Sequence, residues 1–393
     1  MVERLTVRRS AASVAFLLLL GSIGPWNSRP AEATAAPAFA CGRWTIVPSP
    51  NMGSGGSILA GVDAVSQADA WAVGSASEGS LSQTLAERWD GSAWSVVSTP
   101  NVGTGTNTLG AVDAVSTGDV WAVGFYDNGA TFRTLAEHWD GSSWKVAATP
   151  NVGSGENVLT SVSAVAGNDV WAVGYRQDVG SPRLTLAEHW NGSAWSVVTT
   201  PNVGTDENFL WSVTALSGSD VWAVGSYSVP WMQTLTEHWD GVSWSVVQSP
   251  NLDSSDNVLY SAVALRSSSV TAVGTWLNGN VQDTLSQHWN GHAWKVVASP
   301  SPAGYLNWLT GVAADGPNDL WAVGWGTSMP FAAARTLGEH WDGTSWRLVR
   351  TANMGSESNQ LASVAHVPGT TGFWTVGHFE QNFVDQTLIE FRC

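Results

Sequence analysis

The sequence predicts an all-β fold, a seven-bladed β-propeller with four antiparallel strands in each blade. The first observation is a repeat of about 50 residues that runs from Trp44 onward. The second is the make-up of each repeat: four short apolar or alternating segments separated by Gly, Pro, Asn, Asp and Ser, as is typical of strands joined by tight turns. Repeats of roughly 40–50 residues with four strands each are typical of propeller blades.

The number of repeats follows from the tryptophan that opens each one. It occurs seven times, at Trp44, Trp94, Trp144, Trp195, Trp244, Trp294 and Trp346. The four strands are named A to D from the propeller axis outward. In one unit, strand D begins at Trp94, strand A covers residues 109–114, strand B 120–124 and strand C 134–139. The other units offer the same segments, so we expect seven blades of four strands.

The third observation is the order of strands at the two chain ends. The last repeat supplies strand A at residues 361–366, strand B at 373–377 and strand C at 387–392, and has no strand D. The first repeat begins with an unpartnered strand D at residues 43–47. An open propeller would expose two sheet edges, which natural β-proteins avoid. We therefore expect the N-terminal strand to complete the seventh blade.

The two cysteines of the chain, Cys41 and Cys393, bear on this closure. In the other blades, strand C reaches strand D through a Trp-Asp-Gly-x-x-Trp hairpin. Alignment of the chain ends with that hairpin puts Cys393 at the Asp position and Cys41 at the neighbouring Gly position. We expect a disulfide there, in an oxidising compartment. Closing a loop of about 350 residues is nominally worth up to ~5 kcal/mol.

An export signal is predicted at the N-terminus. Arg4, Arg8 and Arg9 precede an apolar segment at residues 11–24, and small residues at 38–40 offer a cleavage site. Twin-arginine export and a lipoprotein anchor at Cys41 are alternatives, although the flanking residues fit both poorly. We expect residues 1–40 to be removed and residues 41–393 to form one secreted propeller. The apolar segment is too short to span a membrane as a helix, so no membrane insertion is expected.

The charge of the chain argues against nucleic acid as a partner. Sixteen basic residues stand against 32 acidic ones, for a net charge of −16, and the only lysines are Lys145 and Lys295. Binding to a phosphate backbone requires clustered cations, which this composition does not supply. We expect a monomer whose partners are carbohydrates or extracellular proteins.

The repeat resembles the kelch repeat of galactose-oxidase-type propellers. The Val-Trp-Ala-Val-Gly segment is similar to the kelch strand that ends in a glycine pair, and Glu-His-Trp-Asp-Gly-Ser-x-Trp is similar to its tyrosine-to-tryptophan hairpin. The resemblance covers residues 44–392, but a single glycine, such as Gly124 or Gly174, stands where kelch repeats have two. Kinship with tectonin-like propellers is the alternative. The resemblance implies a fold and no particular activity, and the terminal cysteines do not fit a copper–radical site.

Several polar residues recur in the repeat, and each has a structural and a functional interpretation. The Glu-His pair of strand C suits acid–base or metal chemistry, but residues present in most blades are expected to form hydrogen bonds between blades. This pair occurs as Glu137-His138, Glu188-His189, Glu237-His238 and Glu339-His340. The Asn before strand A is expected to cap a loop, with a place at the channel mouth as the alternative; it recurs at Asn107, Asn157, Asn208, Asn257, Asn307 and Asn359.

Metal and cofactor sites are not predicted. Acidic residues in the loops before strand A suit calcium in type, but their spacing does not match a known calcium loop; these are Asp206, Glu207, Asp253 and Asp256. Short catalytic or phosphate-binding motifs are also absent from the sequence. We therefore predict no metal, no cofactor and no catalytic residue.

The residues expected to bind a ligand are aromatic residues that break the repeat. Five tryptophans fall outside the repeated strand positions and lie in or beside the D–A and B–C loops of blades 4–6, together with two tyrosines and Phe331. The predicted ligand-binding residues are Trp211, Trp231, Trp276, Trp308, Trp325, Tyr305 and Tyr227. Aromatic rings on one face stack on sugars and anchor protein interfaces. The alternative interpretation is that they pack loops over the channel.

Three functions follow from this surface. The favoured one is a secreted binding module without catalysis that recognises carbohydrate on the loops of blades 4–6. The second is a propeller glycosidase or polysaccharide lyase, for which Asp283, Glu380 and Asp385 are the candidate carboxylates. The third is a protein-interaction scaffold of the cell envelope.

Overall fold

The computed structural model describes residues 41–53, 55–302, 305–328 and 332–393. The signal predicted at residues 1–40 lies outside these ranges. The described part of the chain forms 28 strands in seven four-stranded antiparallel sheets, and none of its residues is helical. The seven-bladed propeller is therefore confirmed.

In blades 1 to 6, strands A to D are consecutive in the chain and hydrogen-bonded in that order. Strand A is formed by β2 (Ser57–Ser66), β6 (Asn107–Ser116), β10 (Asn157–Ala166), β14 (Asn208–Ser217), β18 (Asn257–Arg266) and β22 (Tyr305–Gly316). Strand B is formed by β3 (Asp69–Glu78), β7 (Asp119–Asp127), β11 (Asp169–Gln177), β15 (Asp220–Val229), β19 (Ser269–Asn278) and β23 (Asp319–Ser328).

The outer two strands complete each of these blades. Strand C is formed by β4 (Leu81–Trp89), β8 (Phe132–Trp139), β12 (Arg183–Trp190), β16 (Trp231–Trp239), β20 (Val281–Trp289) and β24 (Arg335–Trp341). Strand D is formed by β5 (Trp94–Val97), β9 (Trp144–Ala147), β13 (Trp195–Val198), β17 (Trp244–Val246), β21 (Trp294–Val297) and β25 (Trp346–Val349).

Blade 7 is built from both ends of the chain, as predicted. It contains β26 (Asn359–His366), β27 (Phe373–Gln381), β28 (Val384–Arg392) and, as strand D, β1 (Thr45–Ile46). Thr45 pairs with Phe391 and Ile46 with Glu390. The disulfide Cys41–Cys393 joins the two segments, with 4.7 Å between the Cα atoms. The expected disulfide and its position at the interrupted C–D hairpin are thus confirmed.

Tryptophans from adjacent blades pack together in groups of three. The strand B indole of one blade contacts the strand C and strand D indoles of the next: Trp71 lies 5.0 Å from Trp139 and 5.1 Å from Trp144, between ring centroids. Four further interfaces repeat this arrangement around Trp121, Trp171, Trp222 and Trp374. Tilted and edge-on contacts of this kind are favourable between aromatic rings. These groups form much of the core between the blades.

The inner strands line a central channel of about 400 Å³. Each strand A is interrupted by a bulge after its third or fifth residue, as between Leu109 and Ala111. Hydroxyl groups link neighbouring inner strands: the backbone N–H groups of Val213 and Ala215 donate to the Oγ atoms of Ser161 and Ser163, both at 3.1 Å. Side-chain hydroxyls thus connect neighbouring inner strands along the channel wall.

The single glycine that ends the strand B motif sits against this bulge. A Cβ atom on Gly124 would lie 2.0 Å from the carbonyl oxygen of Thr108 and 2.9 Å from the Cα of Leu109. The corresponding glycines of the other blades are equally confined. The strand B glycine is therefore needed where the inner strand approaches strand B.

Alanine at Gly124 is expected to destabilise the protein by about 2–4 kcal/mol, because the backbone around Thr108 must move to admit a methyl group. Thermal or urea unfolding of Gly124→Ala measures this. Gly118→Ala is the matched control, since a Cβ there would meet the Gly141 Cα at an ordinary 3.6 Å. Equal stability of the two variants would contradict the explanation.

Candidate functional site

The propeller has two unlike faces. The D–A and B–C loops emerge on one, here called the loop face, and the A–B and C–D turns on the other, the turn face. Trp231 is the first residue of β16 and pairs with Val229 across the B–C hairpin of blade 4. Both side chains are 55% exposed. The next residue is fixed, because the Met232 N–H donates to the Asp256 carboxylate at 2.8 Å.

Trp211 lies inside strand A of blade 4, where the sequence had placed it in or beside a loop. It is the extra residue of the bulge between Leu210 and Ser212, so its side chain turns into the channel. Its ring stacks on Phe209 at 5.2 Å and an 11° interplanar angle, and its Nε1–H donates to the Ser226 hydroxyl at 3.4 Å. One face of the indole is thus covered, and the ring borders the channel.

Tyr260 of blade 5 occupies the same position as Trp211, and it was not among the predicted ligand-binding residues. The two ring centroids are 6.3 Å apart, and both residues line the channel. The other blades have small residues at this level: Ala60, Gly110, Thr160, Thr310 and Ala362. One side of the channel is therefore aromatic and the opposite side is open.

Trp276 and Tyr227 belong to the repeat after all. Each pairs with the strand A asparagine of its own blade, and each is half-buried against the core between blades. Aromatic residues fill the same position in two other blades, Tyr126 and Phe379. Tyr227 and Trp276 therefore pack at the interface between blades.

Trp308 and Trp325 form a cross-strand pair in blade 6. Their rings stack at 4.1 Å with a 24° interplanar angle, and both side chains are half-buried. Tyr305 is the first residue of β22, and Phe331 lies outside the described residues. The structure thus brings Trp308 and Trp325 together in blade 6. Trp211 and Trp231 belong to blade 4.

Two of the three candidate carboxylates, Asp283 and Asp385, have protein partners. The Asp283 carboxylate accepts from the Asn278 amide at 3.0 Å, and Asp385 lies 3.9 Å from the His378 imidazole. Of the residues weighed for calcium, Asp256 holds Met232 and Glu207 lies beside Arg183. No group of three or more His, Cys, Asp or Glu side chains in the described ranges is arranged to hold a metal ion.

The strand C histidines pair within their own blade, with the aspartate at the start of strand B, and not between blades as expected. His138 contacts the Asp119 carboxylate at 2.7 Å, and three other blades have the same pair: His189 with Asp169, His238 with Asp220 and His340 with Asp319. The preceding glutamates are fully buried. The asparagines before strand A cap their loops, as Asn107 does by accepting from the Val102 N–H and donating to the Val102 and Gly105 carbonyls.

Two carboxyl groups lie in the channel on the side of the turn face. Asp63 accepts the Ala114 N–H of the next blade at 2.8 Å, and burial raises the pKa of Asp63 to about 6. Burial and the nearby Asp63 raise the pKa of Asp113 well above its ordinary value. These groups join blades in the manner of Ser161 and Ser163, and they make this end of the channel acidic.

No helix in the described residues is long and apolar enough to cross a membrane. No protein-family model and no curated protein matches the sequence. The resemblance to kelch or tectonin repeats therefore stays a prediction.

Solved structures match the fold. YCF48 bound to a D1 peptide aligns with a TM-score of 0.55 and 12% identity over 91% of this chain and 100% of that chain. The extracellular domain of a hybrid two-component system from B. thetaiotaomicron aligns with a TM-score of 0.53 and 12% identity over 88% of this chain and 39% of that one. Aleuria aurantia lectin with α-methyl-L-fucoside gives 0.48 and 14%, over 77% and 97%. At these identities the likeness shows the propeller fold alone.

Proposed function

We propose that this chain is a secreted binding module without catalytic activity that recognises carbohydrate on its loop face. The observation that carries the proposal is Trp231, the one tryptophan of the described residues that is exposed rather than buried or half-buried. The adjoining Met232 backbone is held by Asp256, so the indole presents a flat apolar surface from a fixed hairpin. Such surfaces stack on sugar rings and lose little conformational freedom on binding.

The channel offers a second aromatic surface near the same face. Trp211 is the fourth of ten residues in its strand, counted from the loop face. The hydroxyls of Ser161, Ser212 and Ser261 accept backbone N–H groups of the next blade. Their O–H groups therefore remain able to donate to a ligand. Rings beside hydroxyl donors suit a sugar, which has both an apolar face and polar edges.

Secretion is part of the same proposal. It is supported by the export signal predicted at residues 1–40 and by the disulfide Cys41–Cys393, a bond that forms and persists in oxidising compartments.

Alanine at Trp231 is expected to weaken binding to the glycans of a glycan array by at least about tenfold, the order of one stacked aromatic contact at an interface. Trp211→Ala tests the channel in the same way. Val242→Ala is the control, because Val242 is 83% exposed on the turn face. Glycan binding that survives both tryptophan substitutions would reject this site.

A protein partner is the second candidate. Two B–C hairpins of the loop face end in exposed apolar side chains, Val179 at 78% and Phe383 at 92% exposed. Apolar side chains of this kind are common at protein interfaces. Binding to extracellular protein that is lost on Phe383→Ala, with no glycan bound on the array, would favour this function over carbohydrate recognition.

A further inference from the structure

One blade interface lacks the central ring of its tryptophan group. Six blades have a tryptophan in the middle of strand B, whereas blade 5 has Thr271 there. The space between blades 5 and 6 is correspondingly a cavity of about 260 Å³ on the turn face. In the other blades the equivalent indoles are at most 2% exposed, so this space is normally filled.

The two remaining rings of the group keep their usual arrangement. Trp341 and Trp346 of blade 6 lie 5.8 Å apart between ring centroids, against 6.1 Å for Trp139 and Trp144. Both line the cavity. The Trp346 Nε1–H donates to Ser286 of blade 5 at 3.0 Å, which fixes that ring. The slot for a third ring is therefore formed before anything enters it.

The polar edge of the cavity also departs from the repeat. Ser269 replaces the aspartate that elsewhere pairs with the strand C histidine, and His288 instead contacts the Thr271 hydroxyl at 3.1 Å. Burial, and then the charge of Arg266, lower the pKa of His288, which favours its neutral form. Arg266 is exposed, lines the cavity and has no ion-pair partner within the described ranges. An unpaired cation at the mouth is notable in a chain of net charge −16.

We propose that this cavity binds a small flat aromatic molecule that carries a carboxylate. The ring takes the place of the absent strand B indole, between Trp341 and Trp346, and the carboxylate faces Arg266. Apolar walls with a few converging polar groups are typical of small-molecule sites, and a guanidinium suits a carboxylate in charge and shape. The site lies on the turn face and is independent of the proposed carbohydrate site.

Titration calorimetry of the full propeller with indole-3-acetate tests this directly, with ligand-observed NMR for weak binding. We expect one site per chain. Thr271→Trp is expected to abolish binding because it restores the indole of the other blades, and to raise the melting temperature because it fills a cavity. Thr271→Phe is a smaller replacement for the case in which Thr271→Trp does not fold. No binding to the unmodified protein, or equal binding by a folded variant, overturns the proposal.

Two comparisons test whether the carboxylate and the aromatic ring of the ligand each contribute to binding. Arg266→Ala is expected to weaken the binding of indole-3-acetate about tenfold, which is the order of one charge-assisted hydrogen bond. The same substitution should leave the affinity for indole unchanged. Cyclohexylacetate, which has the charge but no aromatic ring, is expected to bind more weakly than indole-3-acetate. Trp231→Ala, on the loop face, is the control and should bind indole-3-acetate normally. Loss of binding in that control would show that the two faces are not independent and would overturn the assignment to this cavity.

Discussion

Glutamine in place of Glu137, Glu188 or Glu237 is expected to stabilise the protein at pH 8 and to leave its stability nearly unchanged at pH 4.5. These strand C glutamates are fully buried, and neither carboxyl oxygen has a hydrogen-bond partner among the described residues. Burial of an ionised carboxylate without a partner is strongly unfavourable. We therefore expect these groups to be protonated in the folded protein.

The chain supplies its own comparison for this interpretation. Blade 5 has Gln287 at the same position, and its amide donates to the Pro250 carbonyl of the preceding loop at 2.7 Å. A protonated carboxyl group, like an amide, has a hydrogen to donate to such a carbonyl. In blade 7 the loop has Ala352 instead of proline, and its N–H donates to Glu390 at 3.0 Å. Where the loop has a proline, no such N–H is available; the Glu339 carboxyl instead accepts from the Ser299 hydroxyl at 2.7 Å, and Glu137, Glu188 and Glu237 have no such donor among the described residues.

The direction of the pH dependence follows from the pKa values. Burial raises the pKa of Glu137 and of Glu188 to about 8 from an ordinary 4.5, with no nearby charge contributing. The folded protein therefore binds more protons than the unfolded chain between pH 4.5 and 8. The contribution of these glutamates to the free energy of unfolding is therefore most favourable at and below about pH 4.5. It decreases as the pH rises from there to about 8. Each unit of pKa difference corresponds to about 1.4 kcal/mol.

Melting curves at pH 4.5 and pH 8 measure the effect. Each glutamine variant should gain on the order of 2–4 kcal/mol at pH 8, since the amide has no charge to bury. Gln287→Glu should show the reverse, with a lower melting temperature at pH 8 only. Glu78→Gln, at an exposed position, is the control. A gain of the same size at both pH values would show that ionisation is not the cause.

Serine at Cys41 or Cys393 is expected to lower the melting temperature markedly and to lower it equally in the two variants. The disulfide holds β1, a strand of two residues, against β28, across a sequence separation of 352. Only two residue pairs join β1 to β28, Thr45 with Phe391 and Ile46 with Glu390. Two pairs are too few to hold a strand without further contacts. The bond stabilises by restricting the unfolded chain, by roughly 5 kcal/mol for a loop of this size in the entropic model.

The double variant Cys41→Ser/Cys393→Ser separates the bond from the side chains. It should match each single variant, and reduction of the unmodified protein should give the same melting temperature. Trp44 provides a further measure, because its ring lies 5.5 Å from Trp321 in the core; near-ultraviolet circular dichroism should report its release. An unchanged melting temperature after complete reduction would mean that β1 is held by packing alone.

The sequence was sufficient for the architecture because a repeat carries its information seven times. Strand order, blade number and the closure by β1 follow from counting segments, and Cys41 and Cys393 supplied an independent constraint. The candidate site was less predictable. Trp211 could not be placed, because a bulge at Leu210–Ser212 turns its side chain into the channel and no local residue pattern signals that bulge.

Two of the aromatic residues that seemed to break the repeat, Tyr227 and Trp276, pack against the core between blades, and a position that lacks an aromatic residue, Thr271, borders a cavity. Trp276 seemed to break the repeat because other blades have tyrosine or phenylalanine at its position. These different aromatic rings pack in the same way against the core between blades. Thr271 fits the strand B pattern, because threonine is common in strands. Only the neighbouring rings of Trp341 and Trp346 show what it leaves unfilled.

The closure of blade 7 also dictates when the molecule can be finished during its synthesis. Strand β1 leaves the ribosome before any other strand, yet its partner β28 is the last to be made. Blades 1 to 6 contain only consecutive strands and can each form as soon as their own strand D appears. Strand β1 therefore stays unpaired while the first six blades form, and the propeller closes only after β28 has been synthesised.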